Sequence, residues 1–397
     1  MPIKSITIEN LNIYTENGRK DSGYIKIEDG KIVAIGDWTT VTNSGDETVI
    51  SLTNDFHLIP GMIDIHIHGA DGADTMDSTS SAIERICKAL PKEGTTSFLP
   101  TTITQESSSI EKAVETTGNY INDRQKSGQA EPLGIHLEGP FISAKQAGAQ
   151  PPKHIKEPDI ELFKQWNELS NNHIKVVTHA PEIHGGLEFA HYLHEQQIIS
   201  SIGHSDAKYD DIKNTVKEGS THVTHLFNGM RGIHHREPGV AGGALLRPEL
   251  FTEVIVDGIH VCSDMVDFVY QQKTADKMIL ITDAMRAKGL KDGKYDLGGQ
   301  EVTVEDGKAY LSDGTLAGSL LKMIDGFKNL ISFTGCSIEE AIKMASTNPA
   351  KQLNVFDRKG SISEGKDADL VILDQNLDIM LTICRGEIAY QNMEGLV

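Results

Sequence analysis

The sequence has few cysteines and lacks long apolar runs. Its four cysteines, Cys87, Cys262, Cys336 and Cys384, are far apart in a chain of 397 residues and show no CxxC spacing. This usage is typical of reduced, mostly buried thiols in a cytosolic protein rather than of a disulfide framework. The first residues show no apolar segment after a basic one, and no run approaches the roughly 18 apolar residues of a membrane span. We therefore expect a cytoplasmic protein without a membrane segment.

Basic residues are the scarcer of the two charge types. The 37 Lys and Arg residues stand against 57 Asp and Glu residues, which gives a formal net charge of −20. Because such a surface repels nucleic acid and anionic lipid, neither is expected as a partner. The net charge also disfavours an anionic small substrate. With 38% hydrophobic and 24% charged residues, the composition is that of a folded globular protein and excludes a largely disordered chain.

The two ends of the chain predict short strands and turns. Apolar and polar residues alternate on both sides of Asp29-Gly30, which is a strong hairpin signal. The C-terminal segment predicts one strand over Asp367–Asp374 and a hairpin over Ile379–Gln391. Neither end is large enough to fold alone, so we expect residues 1–55 and 356–397 to pair into one small β-sandwich domain.

Between these ends, residues 56–355 alternate apolar strands with amphipathic helical patterns. Eight strand–helix units over about 300 residues fit an α/β fold, a TIM-like (β/α)8 barrel, better than an open sheet. The strand candidates are Met62–His68, Thr95–Thr101, Gly134–Glu138, Ile174–His179, Ile198–His204, His222–Phe227, Thr252–Asp257 and Met278–Asp283. A further hairpin is predicted over Val302–Gly314. In such a barrel the active site lies at the C-terminal ends of the strands.

Histidines and carboxylates stand at the C-terminal ends of five of these strands. They are His66, His68, Glu138, His204, His225 and Asp283. Alternate residues of a strand share one face, so the two histidines of the first strand can reach one ion. A carboxylate at the end of an apolar strand is costly to bury unless it is paired or bound to metal. Histidines that only pack have no reason to gather at one end, so the pattern predicts a divalent-metal hydrolase site.

Three other histidines on these strands fit the site less well. His136 lies one pleat deeper than Glu138 and is interpreted as a packing residue or a support for the ligands. His222 lies three residues before His225 and so faces away from it, which favours a structural role. His179 ends the fourth strand near the rim, where contact with a substrate and contact with a loop are both open.

Eight short motifs occur in an order and spacing shared with a known family. They are PGMIDIHIHG (60–69), HLEGPF (136–141), GHSDA (203–207), THLFNGM (224–230), REPG (236–239), DGIH (257–260), TDAM (282–285) and LAGS (316–319). Their order over about 260 residues makes the match specific. The chain resembles the amidohydrolase superfamily, and within it the deacetylases of amino-sugar phosphates. The resemblance implies a metal-dependent hydrolase that removes an acetyl group from an N-acetylated amino-sugar 6-phosphate in amino-sugar catabolism.

The resemblance also implies the metal ligands and the catalytic residue. The implied ligands are Glu138, His204 and His225 for one divalent ion and His66 and His68 for a second, with Asp283 as the catalytic acid and base. Some relatives replace the two histidines of the first strand with amides and keep a single ion, so their retention here favours two. Zinc and iron both accept this mixed set of ligands, which leaves the identity of the metal open.

The residues implied to bind the substrate lie beyond the metal ligands. Arg236 and His260 would grip the sugar phosphate, aided by backbone N–H groups near Asn228 and Gly229, because the planar arginine fork offers phosphate two donors. In the family this arginine comes from a neighbouring subunit, so we expect a homodimer with Arg236 acting across the interface. Some relatives carry a histidine twelve residues after the metal-binding glutamate; here Gln150 takes that place, and its contact with the substrate is left open.

The sequence leaves two alternative functions to compare with this one. Another amidohydrolase could act on a cyclic amide or a different N-acyl compound, but many of these enzymes bridge their metals with a carboxylated lysine on the fourth strand. That strand has only Lys175, near its beginning and so at the wrong end. A catalytically silent barrel could instead serve as a scaffold, and the intact ligand set together with Asp283 argues against it. Metal content would separate a scaffold from an enzyme.

Overall fold

The computed structural model describes residues 5–40 and 48–392. Residues 1–4 and 393–397, which the predicted sandwich domain includes, lie outside the described residues, as do residues 41–47. The described strands are β1 Ser5–Thr15, β2 Gly18–Glu28, β3 Lys31–Asp37, β4 Thr48–Ser51, β5 His57–Pro60, β6 Met62–Ile67, β7 Gly69–Ala70, β8 Ala73–Asp74, β9 Thr95–Pro100, β10 Glu131–Pro132, β11 Ile135–Glu138, β12 Ile174–His179, β13 Ile199–Ile202, β14 His222–Val223, β15 Phe251–Ile255, β16 Met278–Ile281, β17 Gly293–Leu297, β18 Gln300–Glu305, β19 Lys308–Tyr310, β20 Leu370–Leu373, β21 Ile379–Cys384 and β22 Glu387–Gln391.

Helices alternate with the strands of the middle segment. They are α1 Ser80–Ala89, α2 Ser107–Asp123, α3 Ile160–Leu169, α4 Gly186–Glu195, α5 Tyr209–Lys217, α6 Gly239–Leu246, α7 Ser263–Lys277, α8 Met323–Thr334, α9 Ile338–Ile342 and α10 Asn348–Gln352. The first begins where the Thr79 side chain accepts a hydrogen bond from the backbone N–H of Ala82, an N-cap that satisfies a free donor of the first turn. Among the helices of the described residues, none combines the length and apolar character needed to cross a membrane.

The two ends of the chain share one mixed sheet. Its strands lie in the order β22-β21-β20-β5-β1-β2-β3, and β4 also pairs with β1. The ends meet where β5 runs antiparallel to β20, with Pro60 opposite Leu370. Asp29 and Gly30 form the predicted turn between β2 and β3 with left-handed backbone, at φ of 47° and 79°, as a two-residue hairpin turn requires. One buried apolar cluster draws on strands from both ends, so each end depends on the other for its core.

All eight strands predicted for the middle of the chain are present, and they run parallel. β6 pairs with β9, and β11 to β16 pair in succession. Single bridges, Thr101 with His136 and Ile67 with Ala284, connect these two groups of strands. The result is a curled parallel sheet whose first and last strands approach each other. Its C-terminal strand ends therefore face one common space.

Six of the eight strands end one to four residues before their predicted ends, and the cause can be seen in two of them, β13 and β14. The predicted strands end at His204 and Phe227, whereas β13 ends at Ile202 and β14 at Val223. The backbones of His204 and His225 are left-handed, with φ of 46° and 30°. A strand cannot continue through that conformation, so each one stops just before its histidine. His204 and His225 therefore lie beyond the ends of their strands, although the apolar pattern predicts that the strands include them.

A three-stranded antiparallel sheet follows the eighth parallel strand. β18 and β19 form the hairpin predicted there, with its turn at Asp306-Gly307. The Gln300 side chain donates from Nε2 to the backbone oxygen of Ala149 at 2.7 Å. Leu297 at the end of β17 lines the pocket described below. The insertion thus forms one wall above the C-terminal strand ends.

Candidate metal centre

The C-terminal strand ends enclose a pocket of about 250 Å³. All six residues that the sequence predicts for the reaction centre come together there. His68, Glu138, His204, His225 and Asp283 line the pocket, and His66 lies fully buried against them. Asn228, Gly229, His260 and Gln150 line the same pocket. Residues from strands far apart in the sequence thus form one site.

The backbone around the site is strained where the key side chains leave their strands. His204, His225 and Asp283 all have left-handed backbone, with φ of 46°, 30° and 48°. Each such residue costs about 1–3 kcal/mol and persists only where its surroundings hold it. The Asp283 N–H donates to the backbone oxygen of His66 at 2.8 Å, and the Ser143 N–H donates to that of His204 at 2.8 Å. This strain turns the side chains inward, and strain of this kind clusters at functional sites.

Glycine at position 229 is required by the close approach of His204. Gly229 has a φ of +55°, and a Cβ there would lie 2.8 Å from Nδ1 of His204. A side chain would therefore be strained and would also displace the imidazole. The glycine lets this loop pass directly beside the histidine.

Three ligand atoms converge in the first group. Nε2 of His204 and Nε2 of His225 lie 3.2 and 3.1 Å from Oε1 of Glu138, and 3.1 Å from each other. A tetrahedral zinc ion with bonds of about 2.0–2.1 Å holds its ligand atoms roughly 3.3 Å apart. The observed separations match that spacing. The three residues therefore fit one divalent ion.

A second group lies on the other side of the Glu138 carboxylate. Oδ1 of Asp283 is 3.5 Å from Nε2 of His66 and 3.3 Å from Nε2 of His68. The same two nitrogens lie 3.3 Å from Oε1 and Oε2 of Glu138, respectively. Glu138 thus stands between the two groups, and its two oxygens could serve two ions.

The hydrogen bonds around two histidines prepare them as ligands. Nδ1 of His66 lies 3.0 Å from Oε2 of Glu253, and Nδ1 of His204 lies 2.9 Å from the backbone oxygen of Gln146. Both partners only accept, so Nδ1 carries the proton and Nε2 offers its lone pair. Nε2 of His66 is buried and has no hydrogen-bond partner among the described residues. A buried, unpartnered nitrogen that faces carboxylates is the chemistry of a metal ligand.

Carboxylates dominate the electrostatics of this cluster. Burial lowers the pKa of His66, but Glu138 and the other nearby carboxylates outweigh burial and hold that pKa well above its usual value. Burial also lowers the pKa of His68, whereas hydrogen bonds to Asp283 and Glu138 raise it to about 10. Burial raises the pKa of Glu138, yet the histidines around it hold that pKa well below its ordinary range. The cluster therefore favours positive charge, as a cation site requires.

The far end of the pocket carries hydrogen-bond donors. Nδ1 of His260 lies 2.6 Å from Oδ2 of Asp257, a partner that fixes the ring. Burial lowers the pKa of His260, but hydrogen bonding to Asp257 raises it above its usual value overall. Asn228 and Gly229 line the same pocket, and Gly229 lies beside His204. This end suits an anionic group better than the acidic surface of the chain would suggest.

Arg236 is not brought into the pocket of its own chain. It lies on an exposed loop, where its Nη1 contacts Nε2 of His235 at 2.7 Å. Ile233, in the same loop, is 52% exposed. Among the described residues, the pocket is lined without Arg236.

Gln150, a candidate substrate-binding residue whose contact the sequence left open, lies in the pocket wall with both ends of its amide engaged. Its Nε2 donates to Oε2 of Glu138 at 2.7 Å, and its Oε1 accepts from the backbone N–H of Thr104 at 2.8 Å. The side chain is almost fully buried. Its position in the fold therefore shows a contact with Glu138 that the sequence could not indicate.

We expect Gln150→Leu to lower the free energy of unfolding by about 1–3 kcal/mol, because it leaves the Thr104 N–H buried without a partner and removes one of the donors to the buried Glu138 carboxylate. Urea unfolding measures this loss. Gln146→Leu is the matched control, since that half-buried amide makes only a 3.4 Å contact with Asp206, and we expect its cost to stay below about 0.5 kcal/mol. Equal stability of the Gln150 variant and the wild type would contradict the prediction.

The other strand histidines lie behind the site or away from it. His136 is buried with its ring 4.6 Å from that of His66, and its Nε2 lies 2.7 Å from the Thr178 hydroxyl. His179 is buried and pairs through Nε2 with the Ser200 hydroxyl at 2.8 Å. His179 therefore contacts its neighbouring strand, and it is not part of the pocket lining.

Sequence reasoning missed Glu253. This carboxylate lies on β15 among apolar residues and is fully buried. Its Oε2 is 3.0 Å from Nδ1 of His66, and its Oε1 is 3.2 Å from Nε2 of His222. Burial raises the pKa of Glu253, but the two histidines lower it and hold it below its ordinary range. The available signal was a charge inside the apolar run FTEVI, because such a charge needs a partner.

Comparison with known proteins defines the class. The sequence model of the amidohydrolase family matches residues 57–392, most of the chain. The chain therefore belongs to the amidohydrolase family. Amidohydrolases are metal-dependent, and the two groups around Glu138 are candidate metal-binding groups among the described residues; His66, His136 and Glu253 form a third.

Within that family, the chain is similar to deacetylases of N-acetylated amino-sugar 6-phosphates. The chain is 48% identical over 393 residues to the N-acetylglucosamine-6-phosphate deacetylase of Bacillus subtilis (strain 168), covering 99% of each. It matches the crystal structure of that enzyme from Thermotoga maritima with a TM-score of 0.87 and 36% identity, covering 97% of this chain and 100% of the other. A mutant of the N-acetyl-D-glucosamine-6-phosphate deacetylase of Mycobacterium smegmatis, in complex with N-acetyl-D-glucosamine-6-phosphate, matches with a TM-score of 0.89 and 28% identity. The match covers 98% of this chain and 99% of the other. The resemblance predicted from the eight motifs is confirmed.

Proposed function

We propose that this chain removes the acetyl group from N-acetylglucosamine 6-phosphate, giving glucosamine 6-phosphate and acetate in amino-sugar catabolism. The observation that carries the proposal is the convergence of Glu138, His204 and His225 beside Asp283, in a pocket whose far end carries His260. Near-complete coverage at 48% identity by a deacetylase of this name supports the choice of substrate. Lys175 is the second residue of β12, at the end away from the pocket, which disfavours a carboxylated-lysine enzyme acting on cyclic amides.

The proposed architecture is a (β/α)8 barrel with one small accessory domain. The parallel pairings and the bridge between Ile67 and Ala284 support closure of the curled sheet into a barrel over residues 56–355. The shared sheet of the two chain ends supports a β-sandwich domain formed by residues 1–55 and 356–397. Eight-stranded barrels place their chemistry at the C-terminal strand ends, where the pocket lies.

Each subunit would hold one or two divalent ions, zinc or iron. Glu138, His204 and His225 would bind the first, and His66 and His68 the second, with Asp283 next to both histidines. A bound divalent ion supplies a water of pKa near 7 and polarises the amide carbonyl. Carboxylate and imidazole donors suit either metal.

Asp283 would move the protons of the reaction. Its side chain is nine-tenths buried at the pocket mouth, with Oδ1 3.3 Å from Nε2 of His68. There it can accept a proton from the attacking water and then pass it to the departing amine. Without that proton the amine is a very poor leaving group. Asp283 therefore serves as base and as acid in one turnover.

The phosphate would bind at the far end of the pocket. His260, held by Asp257, and the backbone at Gly229 would offer donors from one subunit, whereas the Asn228 N–H already donates to the backbone oxygen of His225 at 3.0 Å. Arg236 would complete the site from the second subunit of a homodimer. The exposed position of Arg236 outside its own pocket supports that arrangement. We propose a cytoplasmic enzyme, in keeping with cysteines of which Cys87, Cys336 and Cys384 are buried and unpaired, and no nucleic-acid or membrane partner.

Acetate release from N-acetylglucosamine with and without the 6-phosphate tests the proposal. Charge-assisted hydrogen bonds contribute about 1.5–3 kcal/mol each, so losing two or more should lower kcat/KM by roughly 10²–10⁴-fold. Chelation should abolish both activities, and divalent ions should restore them. Equal rates on the two sugars would refute the phosphate site. Faster turnover of a cyclic amide would instead favour the alternative amidohydrolase.

We expect Arg236→Ala to raise KM for the phosphorylated sugar roughly 10–100-fold, the effect of one charge-assisted contact. Mixing Arg236→Ala with Asp283→Asn subunits tests action across the interface. If Arg236 acts in trans, half of the randomly formed dimers contain one intact site, so about one quarter of wild-type activity returns. If it acts in cis, mixing forms no intact site, and the absence of any gain would contradict the prediction.

A further inference from the structure

Glu253 is a buried carboxylate for which the proposed reaction has no use. It lies on β15 with no exposed surface, beneath the pocket and outside its lining. An ionised carboxylate at such a depth is costly unless its oxygens accept hydrogen bonds. The question is therefore which groups occupy its two oxygens.

The three contacts of Glu253 lead to both metal-binding groups. Oε2 lies 3.0 Å from Nδ1 of His66 and accepts from the backbone N–H of His225 at 3.2 Å. Oε1 lies 3.2 Å from Nε2 of His222. One oxygen thus reaches a side-chain ligand of the second group and the backbone of a ligand of the first group.

The chemistry of these contacts fixes the state of His66. An ionised carboxylate only accepts, so the proton of a neutral His66 must sit on Nδ1. Nε2 then keeps its lone pair, and it points at Glu138 from 3.3 Å. The opposite tautomer would place an N–H where the ion belongs. The bond to His225 also supports a backbone held at a φ of 30°, a conformation that needs outside support.

We propose that Glu253 is a positioning residue that holds His66 in its metal-binding tautomer and anchors the backbone of His225, thereby coupling the two halves of the metal centre. The inference rests on the two-ion centre proposed above. Its effect should fall most on the second ion, because His66 is the only one of the proposed ligands that contacts Glu253 through its ring. Partners of ligating histidines typically change metal affinity 10–100-fold.

Zinc binding by metal-free full-length protein, measured by equilibrium dialysis against buffered free Zn²⁺, tests this. Glu253→Gln keeps an oxygen for His66 but loses the charge, so we expect second-ion affinity to fall about tenfold; Glu253→Leu removes the acceptor, and we expect about 100-fold. The first ion should change less in both. The Glu253→Gln variant should therefore bind the second ion more tightly than the Glu253→Leu variant. Loss of packing alone would not produce this difference.

Thr252→Val is the matched control on the same strand. Thr252 is equally buried, and its hydroxyl contacts only the backbone oxygen of Lys277 at 3.3 Å among the described residues. It should lose stability without any change in zinc affinity. Wild-type second-ion affinity in whichever Glu253 variant folds would overturn the inference and leave the metal centre intact. Failure of the wild type to bind a second ion would overturn the two-ion centre itself, and the inference with it.

Discussion

Asp283→Asn should lower kcat by roughly 10³–10⁴-fold, at the upper end of the range for a group that transfers protons in the transition state. The asparagine keeps the shape of the side chain and an oxygen beside His66 and His68, from which Oδ1 now lies 3.5 and 3.3 Å away. It cannot take up a proton at neutral pH or deliver one to the amine. The loss should therefore appear in kcat, while KM changes little.

Metal content shows whether the lower kcat comes from the missing proton transfer or from a loss of metal. We expect Asp283→Asn protein to bind the same number of ions as the wild type, measured by elemental analysis after dialysis. A variant without metal would show that Asp283 acts first as a ligand. A variant with metal and near-normal turnover would remove Asp283 from the mechanism.

The sequence indicated the main elements because their signals are local. Eight apolar runs with polar ends predicted the parallel strands, and the alternation around Asp29-Gly30 predicted a turn that the structure places there. The convergence of the ligand residues followed from the rule that parallel strands end on one side. These inferences need only periodicity and order along the chain.

The parts that sequence reasoning did not reach depend on contacts between distant segments. The left-handed backbone at His204 and His225 ends two strands early, and it arises from the loops that hold these residues. Gln150 and Glu253 meet their partners across the fold, so spacing could not show that each contacts a candidate metal-binding residue. Arg236 does not line the pocket of its own chain, so the contact proposed for it across an interface could not be derived from one chain.

Net charge proved a poor guide to the proposed substrate. A charge of −20 disfavours anions, yet the proposed substrate carries a phosphate. Along the chain, residues 222–236 hold two arginines, four histidines and no acid. Arg231 in this stretch already pairs with Asp206 at 2.7 Å, so His260 and an arginine from outside the pocket are left to receive the phosphate. Local donors and bound ions, rather than the total charge, would decide what enters.

Glu138→Gln should abolish binding of the first ion and lower kcat at least as far as Asp283→Asn. The amide lacks the negative charge that Glu138 carries among four histidines. With metal bound, its NH2 group also finds no acceptor in either of its two orientations. Facing Gln150, it would oppose the Nε2 donor that now lies 2.7 Å from Glu138. Gln150 cannot flip in response, because its oxygen accepts from the Thr104 N–H, which can only donate. Facing His204 and His225, the amide would direct a donor at the ion.

Thermal unfolding with and without zinc provides a readout apart from activity. An ion present at 100 times its dissociation constant stabilises the folded state by about 2.7 kcal/mol, so wild-type protein should unfold at a higher temperature with zinc. Glu138→Gln should lose that zinc-dependent increase. Glu182→Gln is the matched control, since Glu182 binds Ser205 and the Asp206 N–H beside His204. It should keep the increase because it removes no ligand. A Glu138 variant still stabilised by zinc to the wild-type extent would show that Glu138 is not the carboxylate that holds the first ion.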